Sequence, residues 1–171
     1  MCPDSCKKKP AELLPAPAAA ALYVHVPFCR AKCRYCDFYS LAAEPSLARR
    51  YVRALRREWA RHRERLARPL TSAFVGGGTP SAIPIELLDD LLALAGELCD
   101  SRSEFTVEIN PGTVDAGLAD LLVRRGVNRV SIGAQSFDPG ELRLLGRIHD
   151  AGQIASTVRL LRERGIENLG L

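Results

Sequence analysis

Three closely spaced cysteines are the residues of this sequence best suited to chemistry. Cys29, Cys33 and Cys36 form a C-x3-C-x2-C pattern directly after an apolar segment. Thiolates are soft ligands that suit both iron–sulfur clusters and zinc. A structural zinc site usually takes four protein ligands in two separated pairs, and no second C-x2-C pattern follows. Cys2 and Cys6 could complete such a set, but they lie in a segment without predicted structure. Three cysteines on a [4Fe–4S] cube instead leave one iron open for a small molecule, and the pattern favours this cluster.

The residues between the cysteines argue against a simpler interpretation, in which the three cysteines are merely buried on one face of a helix. Positions i, i+4 and i+7 would also let three cysteines share one buried helix face. However, the intervening Arg30, Lys32 and Arg34 are charged, and no apolar continuation appears at Asp37 or Ser40. These cations would also favour the deprotonated thiolates that bind metals. Metal ligation is therefore the better interpretation of the pattern.

Segments with strand and helix patterns alternate along the chain and would position the cysteines. Strand patterns cover residues 22–28, 72–76, 104–110 and 128–135, and a last strand opens at residue 167. Helix patterns lie between them at 45–66, 84–98, 114–125, 139–145 and 153–164. Parallel strands need crossover connections of this kind. The sequence therefore predicts an α/β fold whose parallel sheet curls toward a barrel or forms a doubly wound layer.

Three predicted strands present one apolar and one polar face, because successive side chains point to opposite sides of a sheet. Helices would cover the apolar faces, so the polar faces would line a cavity near the carboxyl ends of the strands. The alternative is a hydrogen-bonded polar layer inside the core. The residues on the polar faces are Tyr23, His25, Thr106, Glu108, Asn110, Ser131, Gly133 and Gln135.

The composition is that of an ordinary globular protein. Of the 171 residues, 47% are hydrophobic and 26% are charged, which suffices for one domain with a substantial core. Residues 1–20 are rich in Pro, Ala and Lys and predict a flexible leader, followed by a folded part over 21–171. No uninterrupted apolar run could span a bilayer, and prolines interrupt any signal-like stretch. We therefore expect a cytoplasmic protein without an integral membrane segment.

The charge pattern argues against a nucleic-acid partner, and the cysteine content argues against a disulfide-bonded protein. The net charge of +4 comes largely from an arginine-rich stretch at 49–68, which is typical of a solvated helix face. We therefore expect no nucleic-acid partner. Six cysteines in a reducing compartment indicate metal binding or redox chemistry rather than disulfides.

A glycine run at the end of the second predicted strand could bring the backbone close to a ligand. Gly76, Gly77 and Gly78 precede Thr79 and Pro80, and glycine offers no side-chain obstruction. The run lacks the Lys-Ser/Thr of a P-loop and the spacing of a dinucleotide fingerprint. Taken alone, it would indicate no more than a tight turn.

Several motifs, in order, closely resemble the radical S-adenosylmethionine (SAM) family of oxygen-independent coproporphyrinogen III oxidase and its relatives. The first is the stretch from Tyr23 to Cys29, followed by the cysteine pattern with an aromatic residue before its third cysteine. Similar motifs follow at 76–80, 107–112, 126–137 and 145–149, and the resemblance extends from about Leu22 to the last residue. It implies a partial (β/α) barrel of radical SAM type, truncated after about four βα units, that forms the N-terminal part of a longer core domain.

The resemblance implies two cofactors, a [4Fe–4S] cluster and SAM, with heme as a further ligand to consider. SAM would chelate the open iron, and an electron from the cluster would cleave its sulfonium to give a 5′-deoxyadenosyl radical. The implied cluster ligands are Cys29, Cys33 and Cys36. Without the resemblance, Arg147 would be expected on the protein surface, because it follows a predicted helix. The implied cofactor contacts are Tyr23, Tyr35, Gly77, Gly78, Thr79, Glu108, Gln135 and Arg147.

Three functions remain open on the sequence: a heme chaperone, a porphyrinogen-oxidising enzyme, and a metal-stabilised module without chemistry. Fold resemblance alone does not decide among them. In the oxidases a further cysteine follows two residues after the third, whereas this sequence has Phe38. The segments 37–40 and 110–112 also resemble the heme-chaperone branch, which we therefore favour. The expected partners are SAM, heme or a porphyrinogen, a heme-accepting protein and an electron donor.

Overall fold

The computed structural model describes residues 20–66 and 68–171. The predicted leader, apart from Ala20, lies outside the described residues. The strands are β1 (Ala21–Val26), β2 (Phe28–Cys29), β3 (Leu41–Ala42), β4 (Ser72–Gly77), β5 (Glu104–Ile109), β6 (Arg129–Ile132) and β7 (Asn168–Gly170). The helices are α1 (Pro45–His62), α2 (Ile85–Gly96), α3 (Ala116–Arg124), α4 (Pro139–Leu145) and α5 (Ala151–Glu163), with 3-10 turns at Arg63–Arg65 and Pro80–Ala82.

Five strands form one parallel sheet in the order β1-β4-β5-β6-β7, and β2 and β3 form a separate parallel pair. At least one helix lies between each strand of the large sheet and the next, as parallel neighbours require. The predicted α/β class, with four βα units and a fifth strand, is confirmed. None of the helices among the described residues combines the length and apolar character needed to cross a membrane.

The core lies between one face of the sheet and the helices. Val75, Val107 and Val130 occupy matching positions on β4, β5 and β6, and each is fully buried. The apolar faces of α2 and α3 cover them with buried leucines such as Leu88 and Leu122. Burial of each such side chain contributes about 1.5–3 kcal/mol, so this layer carries most of the apolar stabilisation.

Side-chain caps fix where the helices start. Glu44 accepts hydrogen bonds from the Ser46 hydroxyl and from the backbone N–H groups of Ser46 and Leu47 at the start of α1, and these bonds lower the pKa of its carboxyl group. Asp150 and Gln153 form a reciprocal capping box at α5. Each cap satisfies backbone N–H groups that the first helical turn leaves without partners.

Two predicted strands differ from those observed. Predicted strand 22–28 divides at Pro27, after which β2 pairs with β3. Val26 O accepts the last hydrogen bond from the β4 side, from Gly78 N, whereas Pro27 O accepts from Leu41 N at the start of β3, so the chain leaves the large sheet at Pro27. Predicted strand 128–135 ends at Ile132, because the following residues turn into the cavity described below. The separate β2–β3 pair was not predicted, since strands of two residues leave no periodic signal.

Candidate functional site

A cavity of about 660 Å³ opens at the carboxyl ends of the parallel strands. This volume lies within the range of small-molecule sites, and the position matches the edge where parallel α/β folds place them. Its wall includes Cys29, Cys33, Cys36, Tyr35, Phe38, Gly77, Gly78, Thr79, Glu108, Asn110, Ser131, Gly133, Gln135 and Arg147. The predicted polar cavity is therefore present. Thr106, on the same face but deeper, is fully buried and hydrogen-bonded to Glu104, so the alternative polar layer holds there.

The cysteine loop, which comprises residues 29–40 from the end of β2 to the start of β3, is held by backbone contacts at both ends. Its start and end are tied together because Leu41 donates to Pro27 O at 2.7 Å and Ala43 donates to Cys29 O at 3.1 Å. Its middle is fastened to the end of α4 by Arg34 N, which donates to Leu145 O at 3.1 Å. All three cysteines are consequently half-buried on the cavity wall.

The three thiols border the cavity without converging on one point. Within residues 20–66 and 68–171, no group of three His, Cys, Asp or Glu side chains is arranged to hold a single metal ion. A four-iron cube makes a different demand, because each cysteine binds a different iron and the thiolates stand around the cube. Three half-buried thiols on the wall of a cavity of this size fit such a cluster in both donor chemistry and space.

The glycine run packs against the chain itself as well as against the cavity. A Cβ atom on Gly78 would come within 2.7 Å of Phe28 O and 3.0 Å of Cys29 Sγ. Gly77 has φ +117°, and a Cβ there would lie 2.5 Å from the His25 ring. Side chains at these two positions would therefore displace the cysteine loop or strand β1. The glycines bring the backbone close to the first cysteine, which the sequence alone did not indicate.

Glu108 connects the middle of the sheet to the glycine run. It projects from β5 into the cavity, and its Oε2 accepts a hydrogen bond of 2.8 Å from the backbone N–H of Gly77. The other carboxylate oxygen has no protein partner among the hydrogen bonds of the described residues. Glu108 thus presents an acceptor group to whatever the cavity holds.

Arg147 lies inside the site rather than on the surface. Its Nη1 is 3.1 Å from Cys33 Sγ, and its Nη2 donates at 2.6 Å to both Asn110 Oδ1 and Gly133 O. Its Nε is buried and has no partner within the described part of the chain. The cation that contacts a cysteine thus comes from 114 residues further along the chain. Lys32 instead donates to Phe38 O.

Gln135 reaches the cavity through a backbone kink rather than through strand alternation. Its φ is +67°, a left-handed conformation that few residues other than glycine adopt. The residues before it are held by the segment after α4, because Arg147 bonds to Gly133 O and His149 Nε2 lies 3.0 Å from Ala134 O. Gln135 borders the cavity as predicted. The prediction relied on strand alternation, which was wrong because β6 ends at Ile132.

The two predicted tyrosines lie in different places. Tyr35 lines the cavity, and burial raises the pKa of its phenol, which the nearby Arg147 partly opposes. Tyr23 is absent from the cavity wall and 55% exposed, with its hydroxyl 2.9 Å from His25 Nδ1. Partial burial and the charge of Glu108 raise the pKa of Tyr23, so it lies near the site without bordering it.

Asn110 is a residue of the cavity wall to which sequence reasoning gave no role. Its amide bridges Thr79 Oγ1, at 2.8 Å, and Arg147. Strand alternation had placed it on the polar face, but its two partners lie 31 and 37 residues away in sequence. No local pattern could reveal that arrangement.

Comparison with known proteins agrees with this geometry. The model of the radical SAM superfamily matches residues 23–171. The heme chaperone HemW of Haemophilus influenzae is 36% identical over 159 residues, which are 88% of this chain and 42% of that protein. The oxygen-independent coproporphyrinogen III oxidase of Bradyrhizobium diazoefficiens is 38% identical over 161 residues, which are 91% and 36% of the two proteins.

Among solved structures, the chain is similar to coproporphyrinogen III oxidase (HemN) from Escherichia coli. The TM-score is 0.81 at 28% identity, covering 91% of this chain and 37% of that one. The chain thus spans about two fifths of the length of these relatives. The cofactors of the superfamily are a [4Fe–4S] cluster and SAM, so the cofactor prediction is confirmed at the level of the family. The chain belongs to the radical SAM superfamily and is similar to its coproporphyrinogen III oxidase and heme-chaperone members.

Proposed function

We propose that this chain holds a [4Fe–4S] cluster on Cys29, Cys33 and Cys36 and binds SAM beside it. The observation that carries the proposal is one cavity bordered by three half-buried thiols, a glycine run and a set of polar side chains. When bound, the cluster and SAM supply one-electron cleavage of a sulfonium, which gives a hydrogen-abstracting radical. The proposed SAM contacts are Tyr35, Gly77, Gly78, Thr79, Glu108, Gln135 and Arg147, with Tyr23 close by.

The protein groups suit the charges of an amino acid ligand. Glu108 and the carbonyls of the glycine run accept hydrogen bonds, as an ammonium group requires. Arg147 offers donors and a positive charge, as a carboxylate requires. The unpartnered Nε of Arg147 is one donor still available for that purpose. The half-enclosed cavity would limit the access of water to the reacting groups.

Electron paramagnetic resonance of the reduced, reconstituted chain tests this part of the proposal. SAM should change the cluster spectrum, and Glu108→Ala and Gln135→Ala should each weaken that change while leaving the iron content intact. Glu104→Ala is the matched control, because its exposed carboxylate lies at the opposite end of β5. A cluster spectrum indifferent to SAM would remove the SAM assignment, and stoichiometric zinc without iron–sulfur absorbance would remove the cluster as well.

Within the family, we propose a heme chaperone that acts in the cytoplasm and delivers heme to an acceptor protein. Support comes from Phe38, which borders the cavity where the oxidases resembled by this sequence have a further cysteine. Its side chain is 65% exposed, so it offers an apolar surface at the mouth of the site. The oxidase function is the second candidate, because proteins with both names are similar to this chain at 36–38% identity.

The two functions differ in what the protein does with heme and porphyrinogen. With any downstream sequence of its gene included, the chaperone should bind heme stoichiometrically in a spectroscopic titration. Coproporphyrinogen III, SAM and a reducing electron donor should then give no protoporphyrinogen IX. Robust decarboxylation would favour the oxidase, whereas neither heme binding nor product would leave a metal-stabilised module.

A further inference from the structure

A chain of hydrogen bonds joins two of the three cysteines of the site. Cys29 Sγ lies 3.8 Å from Thr79 Oγ1, which lies 2.8 Å from Asn110 Nδ2. The other side of the same amide, Asn110 Oδ1, lies 2.6 Å from Arg147 Nη2, and Nη1 of that guanidinium lies 3.1 Å from Cys33 Sγ. Asn110 is the centre of this chain and touches neither sulfur.

The direction of every hydrogen bond in the chain follows from Arg147. A guanidinium has donors only, so the atom of Asn110 that faces it must be the carbonyl oxygen. The amide nitrogen of Asn110 therefore faces Thr79 and donates to its hydroxyl oxygen. Because Thr79 is only 2% exposed, its hydroxyl hydrogen needs a partner inside the protein, and Cys29 Sγ is the acceptor in reach.

We propose that Asn110 is a positioning residue that directs Thr79 and Arg147 to donate hydrogen bonds to Cys29 and Cys33, and so sets the reduction potential of the cluster. Hydrogen bonds to cluster sulfurs stabilise the more negative, reduced state and raise its potential. An aspartate at this position would accept from both neighbours. It would turn the Thr79 hydroxyl away from the sulfur. The inference rests on the cluster proposed above, but it does not depend on SAM.

The test measures the midpoint potential of the [4Fe–4S]2+/+ couple by spectroelectrochemistry without SAM, using the anaerobically reconstituted chain. One electron from the electrode reduces each cluster. Asn110→Leu removes both amide contacts at similar volume, and Thr79→Val removes only the hydroxyl. Each should lower the potential. Adding Thr79→Val to Asn110→Leu should lower the potential little further, because without Asn110 nothing orients the Thr79 hydroxyl toward Cys29.

The control is Ser81→Ala, which removes a buried hydroxyl two residues from Thr79 that bonds to Thr113 and to no cysteine. Its potential should match that of the parent. An unchanged potential in Asn110→Leu, or shifts of the two single variants that add in full, would overturn the inference.

Should Asn110→Leu fail to assemble a cluster, Asn110→Asp keeps the acceptor for Arg147 and decides the question. The change in midpoint potential caused by Asn110→Asp should be smaller when Thr79→Val is also present. Equal shifts in both backgrounds would mean that the carboxylate acts through charge alone, which contradicts the proposed chain. A parent chain without iron–sulfur absorbance would instead overturn the cluster assignment itself, together with this inference.

Discussion

The cysteine loop and the parallel sheet stand in contrast although they share one cavity. Around the loop, Tyr35, Phe38 and Tyr39 are about half to two thirds exposed, and a few backbone hydrogen bonds hold the segment. In the sheet, Val75 and Val107 are fully buried beneath helices. Stability therefore resides mainly in the sheet and its helices, whereas the proposed cluster ligands lie in a segment that contributes little to the core.

Replacement of the three cysteines of the loop should give the largest effect, which is the loss of bound iron. The triple variant of Cys29, Cys33 and Cys36 to Ala should lose the iron–sulfur absorbance and bound iron completely. The free energy of unfolding of the metal-free chain should fall by only about 1–3 kcal/mol, because the buried Thr79 hydroxyl loses its acceptor Cys29 Sγ while no apolar side chain of the core is truncated. Cys99→Ala, at a half-buried cysteine away from the cavity, should keep the full iron content. Strong destabilisation by the triple variant would contradict the division between loop and core.

A core truncation should give the opposite result. Leu122 on α3 is fully buried, so Leu122→Ala should lower the free energy of unfolding by about 2–5 kcal/mol through lost burial and a residual cavity. Leu144→Ala, at a leucine that is 71% exposed, is the control and should change it by no more than about 0.5 kcal/mol. Urea denaturation measures both. The fraction of Leu122→Ala that remains folded should bind as much iron as the parent. Loss of iron from this folded fraction would mean that iron binding by the cysteine loop depends on packing of the core.

His149 lies beside the carboxyl end of β6, and it should make stability depend on pH. It is 6% exposed, and burial lowers its pKa below the ordinary value of 6.5. Between this lowered pKa and 6.5, the unfolded chain therefore binds a proton that the folded chain does not. The free energy of unfolding should consequently fall as the pH drops through this window. Denaturation at one pH well above 6.5 and one well below it measures the loss.

Two replacements of His149 separate its hydrogen bond from its size. The amide of His149→Gln can occupy the position of Nε2 and donate to Ala134 O, whereas the amide of His149→Asn matches the position of Nδ1. Both should abolish the pH dependence of this residue, but Asn should cost about 0.5–1.5 kcal/mol more by losing the hydrogen bond to Ala134 O, which keeps only its bond from Ser136 N. Equal stability of the two variants would argue against the contact with Ala134.

The smallest effect is expected at the α5 cap. Asp150→Ala removes the side chain that accepts from Gln153 N, and should cost about 1 kcal/mol of unfolding free energy without changing iron content. Asp150→Asn preserves the cap without the charge and should lie close to the parent in the same melt. A large difference between Asp150→Asn and the parent would assign the effect to charge rather than to capping.

The same contrast explains what the sequence could predict. Strands β4 and β5 and helix α4 lie where hydrophobic patterns and helix start signals placed them, because burial of one face leaves a local periodic signal. The left-handed Gln135 and the two-residue strands β2 and β3 leave no such signal. They exist because distant segments hold them.

Residue type and spacing alone grouped Cys29, Cys33 and Cys36, and the structure places all three on one cavity wall. Their ligation of a cluster stays a prediction. Resemblance placed Arg147 and Gln135 in the site, but not the contacts that hold them. The position of Tyr23 beside the cavity, where it packs against Phe74, and the bridge made by Asn110 depend on contacts between segments 31 or more residues apart. Such contacts are properties of the assembled sheet and not of any local stretch.

The order of strands in the large sheet has a consequence for biosynthesis. Each strand lies beside the one that precedes it in the chain, so βα units can add to the growing sheet as they leave the ribosome. The thiol of Cys33 emerges first, and Arg147 follows 114 residues later. At about 5–20 residues per second, this delay is roughly 6–23 s. During that interval the nascent Cys33 thiol lacks its hydrogen-bond partner, so we expect cluster loading to follow synthesis of the segment that contains Arg147.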